Sequence, residues 1–371
     1  MYKLYLKAAA LIILLIAWRP HGSVKNEKNN TGNFAVIAYY TGNTTIIDSF
    51  PVEKLTHIIF SFCHLKGNRL DVNYARDTAV IQKLVSLKSR NPKLKVILSI
   101  GGWGGCEFCS PVFASDTGRK EFASSTKELM EYFKTDGIDL DWEYPAVEGY
   151  PGHAYSPQDK PAFTSLIKTL RDTLGRHYEI SFAAGAFDSY LQQSIEWIKV
   201  MPMIDKVNLM SYDLVGGYSK MTGHHTPLYS SKQQKESADN AVRYLASIGV
   251  PLNKIIIGAA FYAREWDSVA NVNNGQYQSG NFHNFIPYKR FPELLSADSG
   301  FVFYRDKETK ASYAYSVSKN RYATFDDEVS VRDKTIYAIK KGLGGIMFWE
   351  LTLDKQQDGL LDVIDKTIKE R

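Results

Sequence analysis

Short apolar or β-branched segments alternate with amphipathic helical segments along almost the whole chain. Eight of them predict β-strands, at residues 34–40, 56–62, 93–100, 137–144, 178–185, 206–213, 254–261 and 344–351. Between them, apolar residues at helical spacing, such as Val80, Leu84 and Leu87, predict helices. A strand followed by a helix, repeated along a chain, is typical of parallel strands joined by crossover helices.

Eight strand–helix units in 371 residues predict an α/β fold, a closed (β/α)8 TIM barrel. An open doubly wound sheet that binds a dinucleotide is the alternative, but no glycine-rich phosphate loop follows the first predicted strand. The interval 262–343, between the last two strands, is too long for a crossover. It is rich in Tyr, Phe and Asn and ends in a predicted helix near 330–342. We therefore expect a small α+β module inserted into the barrel at 262–328.

The fourth predicted strand carries an unusual arrangement of charge. In DGIDLDWEYP (136–145), Asp139, Asp141 and Glu143 alternate with apolar residues. Because successive side chains of a strand point to opposite faces, the three acids share one face and the apolar residues share the other. The outer face of a barrel contacts the helices, so the acids must point inward. They approach the carboxyl end of the strand, where barrel active sites lie.

A solvent-exposed edge strand is the alternative explanation of alternating charge, but a closed barrel has no edge strand. Acids that are stacked inside a barrel cannot all ionise at low cost, because burial and repulsion between like charges both favour a shared proton. We therefore expect Glu143 to keep a proton at neutral pH, as a general acid must.

Four segments of the chain resemble motifs of the family 18 glycoside hydrolases, the chitinases and their relatives. DGIDLDWEYP matches the D-x-x-D-x-D-x-E signature of that family at every defined position. SIGGW (99–103) matches its S-x-G-G motif, LMSYD (209–213) matches its M-x-Y-D motif, and FWEL (348–351) carries the tryptophan of its terminal strand. The motifs lie on four predicted strands in the family's order and cover nearly the whole folded chain.

The resemblance implies a retaining enzyme that cuts β-1,4-linked N-acetylglucosamine polymers. Glu143 would protonate the glycosidic oxygen, Asp141 would orient the acetamido N–H and stabilise an oxazolinium ion, and Asp139 would share their proton network. Tyr212 would bind the acetamido oxygen, with Asp213 beside it. Acids at positions i and i+2 of a strand lie about 6.6 Å apart along it and reach the sugar from one side. That placement is awkward for a second carboxylate acting as nucleophile from the opposite face, and the resemblance implies that the substrate's own acetamido oxygen attacks instead.

The predicted substrate-binding residues are mainly aromatic, because aromatic rings stack on sugar rings. They are Trp349, Trp103, Tyr144, Tyr39, Phe60, Met210, Tyr262 and Arg264. The resemblance assigns Trp349 to the floor beneath the distorted sugar, Tyr262 to the shape of the cleft and Arg264 to substrate hydroxyl groups. Met210 is expected to pack beneath the site. For the aromatic residues of the first four strands, a place in the ordinary core is the alternative.

Two other functions stay open. An endo-β-N-acetylglucosaminidase acting on N-glycan cores would use the same mechanism, but the inserted module, which deepens the cleft in many chitinases, favours chitin or chitooligosaccharides as the partner. A chitinase-like lectin would bind these sugars without cutting them. Family lectins have usually lost the terminal acid, whereas Glu143 is present. Whether attack occurs at a chain end or within the chain is not set by the sequence.

Residues 1–22 have the pattern of a secretory signal peptide, in which Lys3 and Lys7 precede an apolar run of about 11 residues. The run is too short to span a bilayer, which takes about 20 residues. We therefore expect a secreted protein, extracellular or periplasmic, with no membrane span after signal removal. Residues 23–33 are polar and predict a flexible lead-in to a catalytic barrel at 34–371.

Composition and the remaining motifs argue against other classes of ligand. Without the leader the chain has 42 basic and 40 acidic residues, so nucleic acid is not an expected partner. For Cys106 and Cys109, a local disulfide and two free thiols are both favoured over a metal site. His224 and His225 have no further ligands nearby in the sequence. We expect no metal, no cofactor and a monomeric enzyme.

Overall fold

The computed structural model describes residues 34–72 and 74–371, so the predicted signal peptide (1–22) and lead-in (23–33) lie outside the described residues. The strands in these ranges are β1 (Ala35–Tyr40), β2 (His57–Lys66), β3 (Arg69–Asp71), β4 (Lys95–Gly101), β5 (Gly137–Asp141), β6 (Glu179–Gly185), β7 (Lys206–Met210), β8 (Ile255–Ala260), β9 (Tyr262–Asp267), β10 (Asn281–Pro287), β11 (Val302–Arg305), β12 (Ser312–Ser316), β13 (Arg321–Phe325) and β14 (Gly345–Trp349). The α-helices are α1 (Ala75–Ser86), α2 (Cys109–Ala114), α3 (Asp116–Phe133), α4 (Asp159–Leu174), α5 (Asp188–Gln193), α6 (Trp197–Val200), α7 (Ala238–Ser247), α8 (Phe291–Leu294), α9 (Glu328–Lys341) and α10 (Leu360–Lys369).

Eight of the described strands, all parallel, close into a barrel. Their order around it is β1-β2-β4-β5-β6-β7-β8-β14, and β14 pairs with β1 to complete the ring. α-Helices follow every barrel strand except β1, whose connection to β2 contains only short 3-10 turns, so the predicted (β/α)8 TIM barrel is confirmed. Each barrel strand begins within two residues of its predicted start.

Two barrel strands end three residues earlier than the sequence predicts. β5 ends at Asp141 and β7 ends at Met210, whereas both were expected to run three residues further. Glu143, Tyr212 and Asp213 therefore lie on the loops that leave the carboxyl ends of these strands. That is the position of catalytic residues in barrel enzymes.

Alternation along β5 separates an outer core from the barrel interior. Ile138, Leu140 and Trp142 belong to the core between the barrel and its helices. The ring of Trp142 packs 5.5 Å from Phe113 of α2 and 6.4 Å from Phe163 of α4, measured between ring centroids. The apolar face of the strand thus points outward, and its acids point into the barrel, as the alternation predicts.

The interval between β8 and β14 contains a second, antiparallel sheet. Its strand order is β10-β9-β13-β12-β11, and β9 begins two residues after β8 ends. The aromatic residues that enrich this interval form a core of their own, made of Trp266, Val269, Tyr313, Tyr315 and Tyr322. We call residues 262–328 the inserted module.

Other local features complete the described structure. β3, which the sequence analysis missed, pairs antiparallel with the extended end of β2. Cys106 and Cys109 form a disulfide, and Cys63 is a buried free thiol. Among the described residues, no helix is both long enough and apolar enough to cross a membrane.

Candidate active site

A cavity of about 590 Å³ opens at the carboxyl ends of the barrel strands. Its lining residues come from the loops after β4, β5, β6 and β7, from β14 and from the inserted module. They are Gly102, Trp103, Asp141, Glu143, Tyr144, Phe187, Met210, Tyr212, Asp213, Gly216, Gly217, Tyr218, Tyr262, Arg264, Phe282, Phe285 and Trp349. Ten of these were predicted as site residues.

Asp139 lies below the cavity, at the centre of the barrel. Its Oδ2 accepts hydrogen bonds from the Tyr39 hydroxyl (3.0 Å) and the Ser99 hydroxyl (2.9 Å). Its Oδ1 accepts from the Ser181 hydroxyl (2.6 Å) and the Asn208 amide (3.0 Å). Burial raises the pKa of Asp139, although the four donors favour its ionised form. The acid is held by side chains of β1, β4, β6 and β7, so it is fixed in place.

Asp141 and Glu143 line the cavity above Asp139. Burial raises the pKa of Asp141 well above its usual value, and the charges of Glu143 and Asp139 raise it further. Burial also raises the pKa of Glu143 to about 7, and the charge of Asp213 acts in the same direction. Two interacting acids with raised pKa values share a proton near neutral pH.

Tyr212 approaches the acids from β7. Its side chain is 7% exposed, and its hydroxyl lies 3.7 Å from the Met347 sulfur. Burial and the neighbouring acids raise the pKa of Tyr212, so its hydroxyl stays protonated and can donate a hydrogen bond into the cavity. Met210, two residues earlier, is buried beside it in the barrel interior and also lines the cavity.

Asp213 forms a bidentate ion pair with Arg264 of the inserted module. Arg264 Nε donates to Asp213 Oδ1 (2.8 Å), and an Arg264 terminal nitrogen donates to Oδ2 (2.6 Å). Partial burial opposes ionisation of Asp213, but the facing His225 imidazole and Arg264 guanidinium hold its pKa well below the usual value. A permanent negative charge therefore lines the same cavity as Glu143.

The loop after β4 presents Trp103 at the rim. Gly101 and Gly102 both have positive φ, of 103° and 78°. A side chain at Gly101 would collide with the Asp141 carbonyl, which instead accepts a hydrogen bond from the Gly102 N–H (2.9 Å). This close approach explains the two glycines of SIGGW. Trp103 itself is 46% exposed, as a binding platform requires.

Trp349 forms the apolar floor of the cavity. Its ring stacks on Phe62 at 5.8 Å with an interplanar angle of 15°, and Tyr39 packs against it at 5.7 Å. At the loop after β4, Trp103 contacts Tyr144, with ring centroids 6.3 Å apart. The cavity therefore combines acids with flat apolar surfaces, the combination that carbohydrate sites use.

Comparison with known proteins assigns the chain to a family. The model of glycosyl hydrolases family 18 matches residues 35–354. This chain belongs to family 18. It is a glycoside hydrolase, and the resemblance drawn from its four motifs is confirmed.

Relatives of this family 18 hydrolase include proteins that are named for activity on chitin or N-acetylglucosamine. It is 34% identical over 302 residues to chitinase A1 of Niallia circulans, a match that covers 75% of this chain and 43% of that protein. It is 32% identical over 374 residues to mouse (Mus musculus) chitotriosidase-1, covering 94% of this chain and 76% of the relative. A solved family 18 N-acetylglucosaminidase from Paenibacillus barengoltzii has a TM-score of 0.82 and 35% identity, covering 90% of this chain and all of that one.

Two predicted cleft residues of the family 18 hydrolase do not line the cavity. Phe60 belongs to the outer core, because it follows the inward-facing Ile59 and the alternation of β2 turns it toward the helices. Tyr39 does face inward, but it is 1% exposed and lies beneath Trp349, where its hydroxyl binds Asp139. Phe60 is core, and Tyr39 supports the acids from below.

Sequence reasoning missed several aromatic residues near the cavity. They are Phe62, Phe187, Tyr218, Phe282 and Phe285. For Phe62 the cause is a break in strand alternation, because the pairing of β2 with β4 shifts between Phe60 and Cys63. Phe282 and Phe285 lie on β10, where no strand was predicted, and the pairing of β10 with β9 shifts between Phe282 and Asn284. Such bulges redirect side chains to the other face of a strand.

The two adjacent histidines each face a carboxylate. His224 Nε2 lies 3.1 Å from Asp306, and His225 Nδ1 lies 3.5 Å from Asp213. In the described part of the chain, no group of three or more His, Cys, Asp or Glu side chains is arranged to hold a metal ion.

Proposed function

We propose that this family 18 hydrolase cuts β-1,4 linkages between N-acetylglucosamine units of chitin or chitooligosaccharides, with retention of anomeric configuration. The substrate's acetamido oxygen acts as the nucleophile, and the intermediate is an oxazolinium ion. This proposal rests on the acids that line the cavity and on the names of the relatives, which include two enzymes called a chitinase and a chitotriosidase.

The state of Asp141 carries the proposal. Its Oδ1 is buried and has no hydrogen-bond partner among the described residues. A buried acceptor without a donor costs free energy, so such an atom calls for a ligand that supplies one. The N–H of a 2-acetamido group is such a donor. The 2-hydroxyl of a cellulose unit can also donate, but it brings no acetamido oxygen that could act as the nucleophile.

The third carboxylate of the cavity is a poor nucleophile. Asp213 accepts hydrogen bonds from Nε and one terminal nitrogen of Arg264 and is stabilised as an anion, which lowers its basicity. Asp141 ends β5 and Glu143 follows it by two residues on the same connection, so both approach the sugar from one side. With no free carboxylate opposite them among the lining residues, attack by the substrate's own acetamido oxygen accounts best for the arrangement.

The reaction then proceeds in two steps. Glu143 gives its proton to the glycosidic oxygen while the acetamido oxygen closes on the anomeric carbon. Asp141 accepts the acetamido N–H and stabilises the positive charge that develops, and Tyr212 donates to the acetamido oxygen. Water then opens the oxazoline with Glu143 as the base, which returns the proton and leaves the β-anomer. Four hydrogen-bond donors hold Asp139 in place, so its negative charge stays next to Asp141.

The substrate-binding surfaces follow from the cavity walls. Trp349 lies under the sugar at the cleavage point, and Trp103 offers a platform beyond it. Arg264 and Tyr262 bring hydroxyl-binding groups from the inserted module. We also propose that the chain is exported by its leader and that it acts as a monomer, as expected from the sequence.

A second candidate is release of single N-acetylglucosamine units from chain ends. The similarity to the P. barengoltzii enzyme, which is called an N-acetylglucosaminidase, favours this mode. Action on N-glycan cores and binding without cleavage are further alternatives, and the presence of Glu143 in the cavity argues against the last.

Products from chitohexaose, followed over time with the anomers resolved by NMR, test the proposal. We expect new reducing ends to appear first as the β-anomer. Early accumulation of the dimer, trimer and tetramer supports internal cleavage or dimer release, whereas early accumulation of the monomer supports the second candidate. No cleavage of chitohexaose would overturn the proposed function, and initial α-anomers would overturn the mechanism.

A further inference from the structure

His225 is a buried imidazole whose polar atoms are not satisfied. Its side chain is fully buried, and neither ring nitrogen has a hydrogen-bond partner among the described residues. Burying unpaired polar groups is costly, and an apolar ring of the same shape would be more stable there. Since His225 does not favour stability at this buried position, its presence there calls for a different explanation.

The position of His225 indicates what that explanation is. Nδ1 lies 3.5 Å from Asp213 Oδ1, on the side of the carboxylate away from the paired terminal nitrogen of Arg264. The imidazole packs against the Tyr262 ring at 5.2 Å, and the backbone carbonyl of His225 accepts a hydrogen bond from the Leu214 N–H (3.1 Å). The residue is thus tied to the segment that carries Asp213.

Asp213 needs such support. Its backbone is in the left-handed region, with φ of 55°, which residues other than glycine adopt rarely, although Asp and Asn do so more often than most. Its side chain is 35% exposed toward the cavity, while its Oδ1 is shared between Arg264 Nε and the facing His225 Nδ1. Its charge acts on Glu143 across the cavity.

We infer that His225 is a positioning residue: its Nδ1–H faces the Asp213 carboxylate from behind and, through it, sets the electrostatic potential at Glu143. The contact of 3.5 Å is long in the free enzyme, and catalytic hydrogen bonds often shorten when substrate binds. This inference rests on the proposed function of Glu143 as the general acid. It gives a purpose to a histidine to which the sequence analysis assigned no role.

Few charged and titratable groups face His225 or Glu143. Those that face His225 are Asp213 after β7, Tyr262 and Arg264 on β9, and Asp326 after β13. Those that face Glu143 are Asp141, Tyr144, Tyr190, Tyr212 and Asp213. Asp213 is common to both groups, so it is the route by which a change at His225 reaches Glu143.

The direction of the effect follows from the dipole of the imidazole. Nδ1–H presents its positive end to Asp213 and offsets part of the negative potential at Glu143. Without it, ionisation of Glu143 becomes less favourable, and the enzyme stays active to higher pH. His225→Phe should therefore shift the alkaline limb of kcat/KM upward by roughly 0.3–0.5 pH unit, a modest change because the cavity is open to solvent. The melting temperature should be equal or higher.

Two variants separate this effect from a merely structural one. His225→Asn keeps an N–H donor on the atom next to Cγ, so it should restore the wild-type limb. His224→Phe removes an equally buried imidazole whose carboxylate partner is Asp306, which does not line the cavity. His224→Phe should leave the alkaline limb of the kcat/KM pH profile unchanged.

The outcomes are decisive in each direction. A limb unchanged in His225→Phe, or shifted downward, would overturn the inference, as would an equal shift in His224→Phe. If wild type fails to cut chitohexaose, the proposed function and the inference fall together; if wild type is active, the inference alone is at stake. Should His225→Phe not fold, ¹⁵N-histidine NMR decides: Asp213→Asn should lower the pKa at which His225 titrates, and an unchanged titration would contradict the contact.

Discussion

The Arg264 guanidinium binds both oxygens of Asp213, at 2.8 and 2.6 Å, and so joins the inserted module to the loop after β7. The ion pair fixes a negative charge on the cavity wall, and that charge helps to keep Glu143 protonated. Since the pair is part of the wall, the module contributes to the chemistry as well as to the depth of the cleft.

Asp213→Asn should lower the pH at which activity is lost. Removing the negative charge makes ionisation of Glu143 easier, so the alkaline limb of kcat/KM should move down by roughly half a pH unit. The control is Asp298→Asn, which alters an exposed carboxylate of the inserted module away from the cavity. An alkaline limb that stays in place in Asp213→Asn would show that the two carboxylates do not interact.

Glu143→Gln should keep the affinity for chitooligosaccharides and lose nearly all turnover. The amide is close in shape to the carboxylic acid but cannot give a proton to the glycosidic oxygen. General acid–base catalysis contributes about 10²–10⁴-fold, and an alkoxide leaving group places the loss near the upper end. The control is Glu148→Gln, an exposed position five residues along the same loop. Turnover above roughly a tenth of the wild-type value, with binding intact, would exclude Glu143 as the acid.

Asp141→Asn and Tyr212→Phe should each lower kcat more than they raise KM. Both residues are proposed to act on charge that develops at the acetamido group, so their interactions strengthen in the transition state. Michaelis parameters for a soluble chitooligosaccharide measure the effect. A variant whose sole change is a higher KM would have lost ground-state binding and would contradict the proposed role.

The raised pKa of Glu143 also predicts a pH-dependent cost in stability. The folded state holds this proton up to about pH 7, whereas an unfolded glutamate releases it near pH 4.3. Between these values the folded state binds more protons, so the contribution of Glu143 to stability falls as the pH rises. Glu143→Gln should therefore gain melting temperature relative to wild type between pH 4.5 and 7. Parallel thermal melts across that range check the sign, and a constant difference would contradict it.

The sequence predicted the barrel because its strands are short and apolar, and because segments with apolar residues at helical spacing separate them. It also predicted the acid stack, since the alternation in DGIDLDWEYP allows one inward face. Alternation failed where the backbone departs from it. Phe62 and Phe282 reach their positions through shifts of register that leave no periodic signal. The contact of His225 with Asp213 joins two loops, and no local pattern in the sequence records it.

The nature of the nucleophile can be tested on the substrate rather than on the enzyme. If the acetamido oxygen attacks, a sugar without an N-acetyl group at the cleaved unit has no nucleophile to offer. Fully deacetylated chitosan and cellooligosaccharides should be cut negligibly even where they bind. A stable thiazoline analogue of the intermediate should inhibit, because it presents a cationic ring to Asp141 and Tyr212.

Partly acetylated chitosan makes the test quantitative. Each cut should leave N-acetylglucosamine at the new reducing end, because the sugar that supplies the nucleophile is the one that keeps the anomeric carbon. Sequencing the products of a random copolymer by mass spectrometry measures this fraction directly. A protein nucleophile would need no acetamido group, so it would leave glucosamine at the new reducing ends in proportion to its binding. Abundant glucosamine there would refute substrate assistance and would require a search for a carboxylate that reaches the opposite face of the sugar.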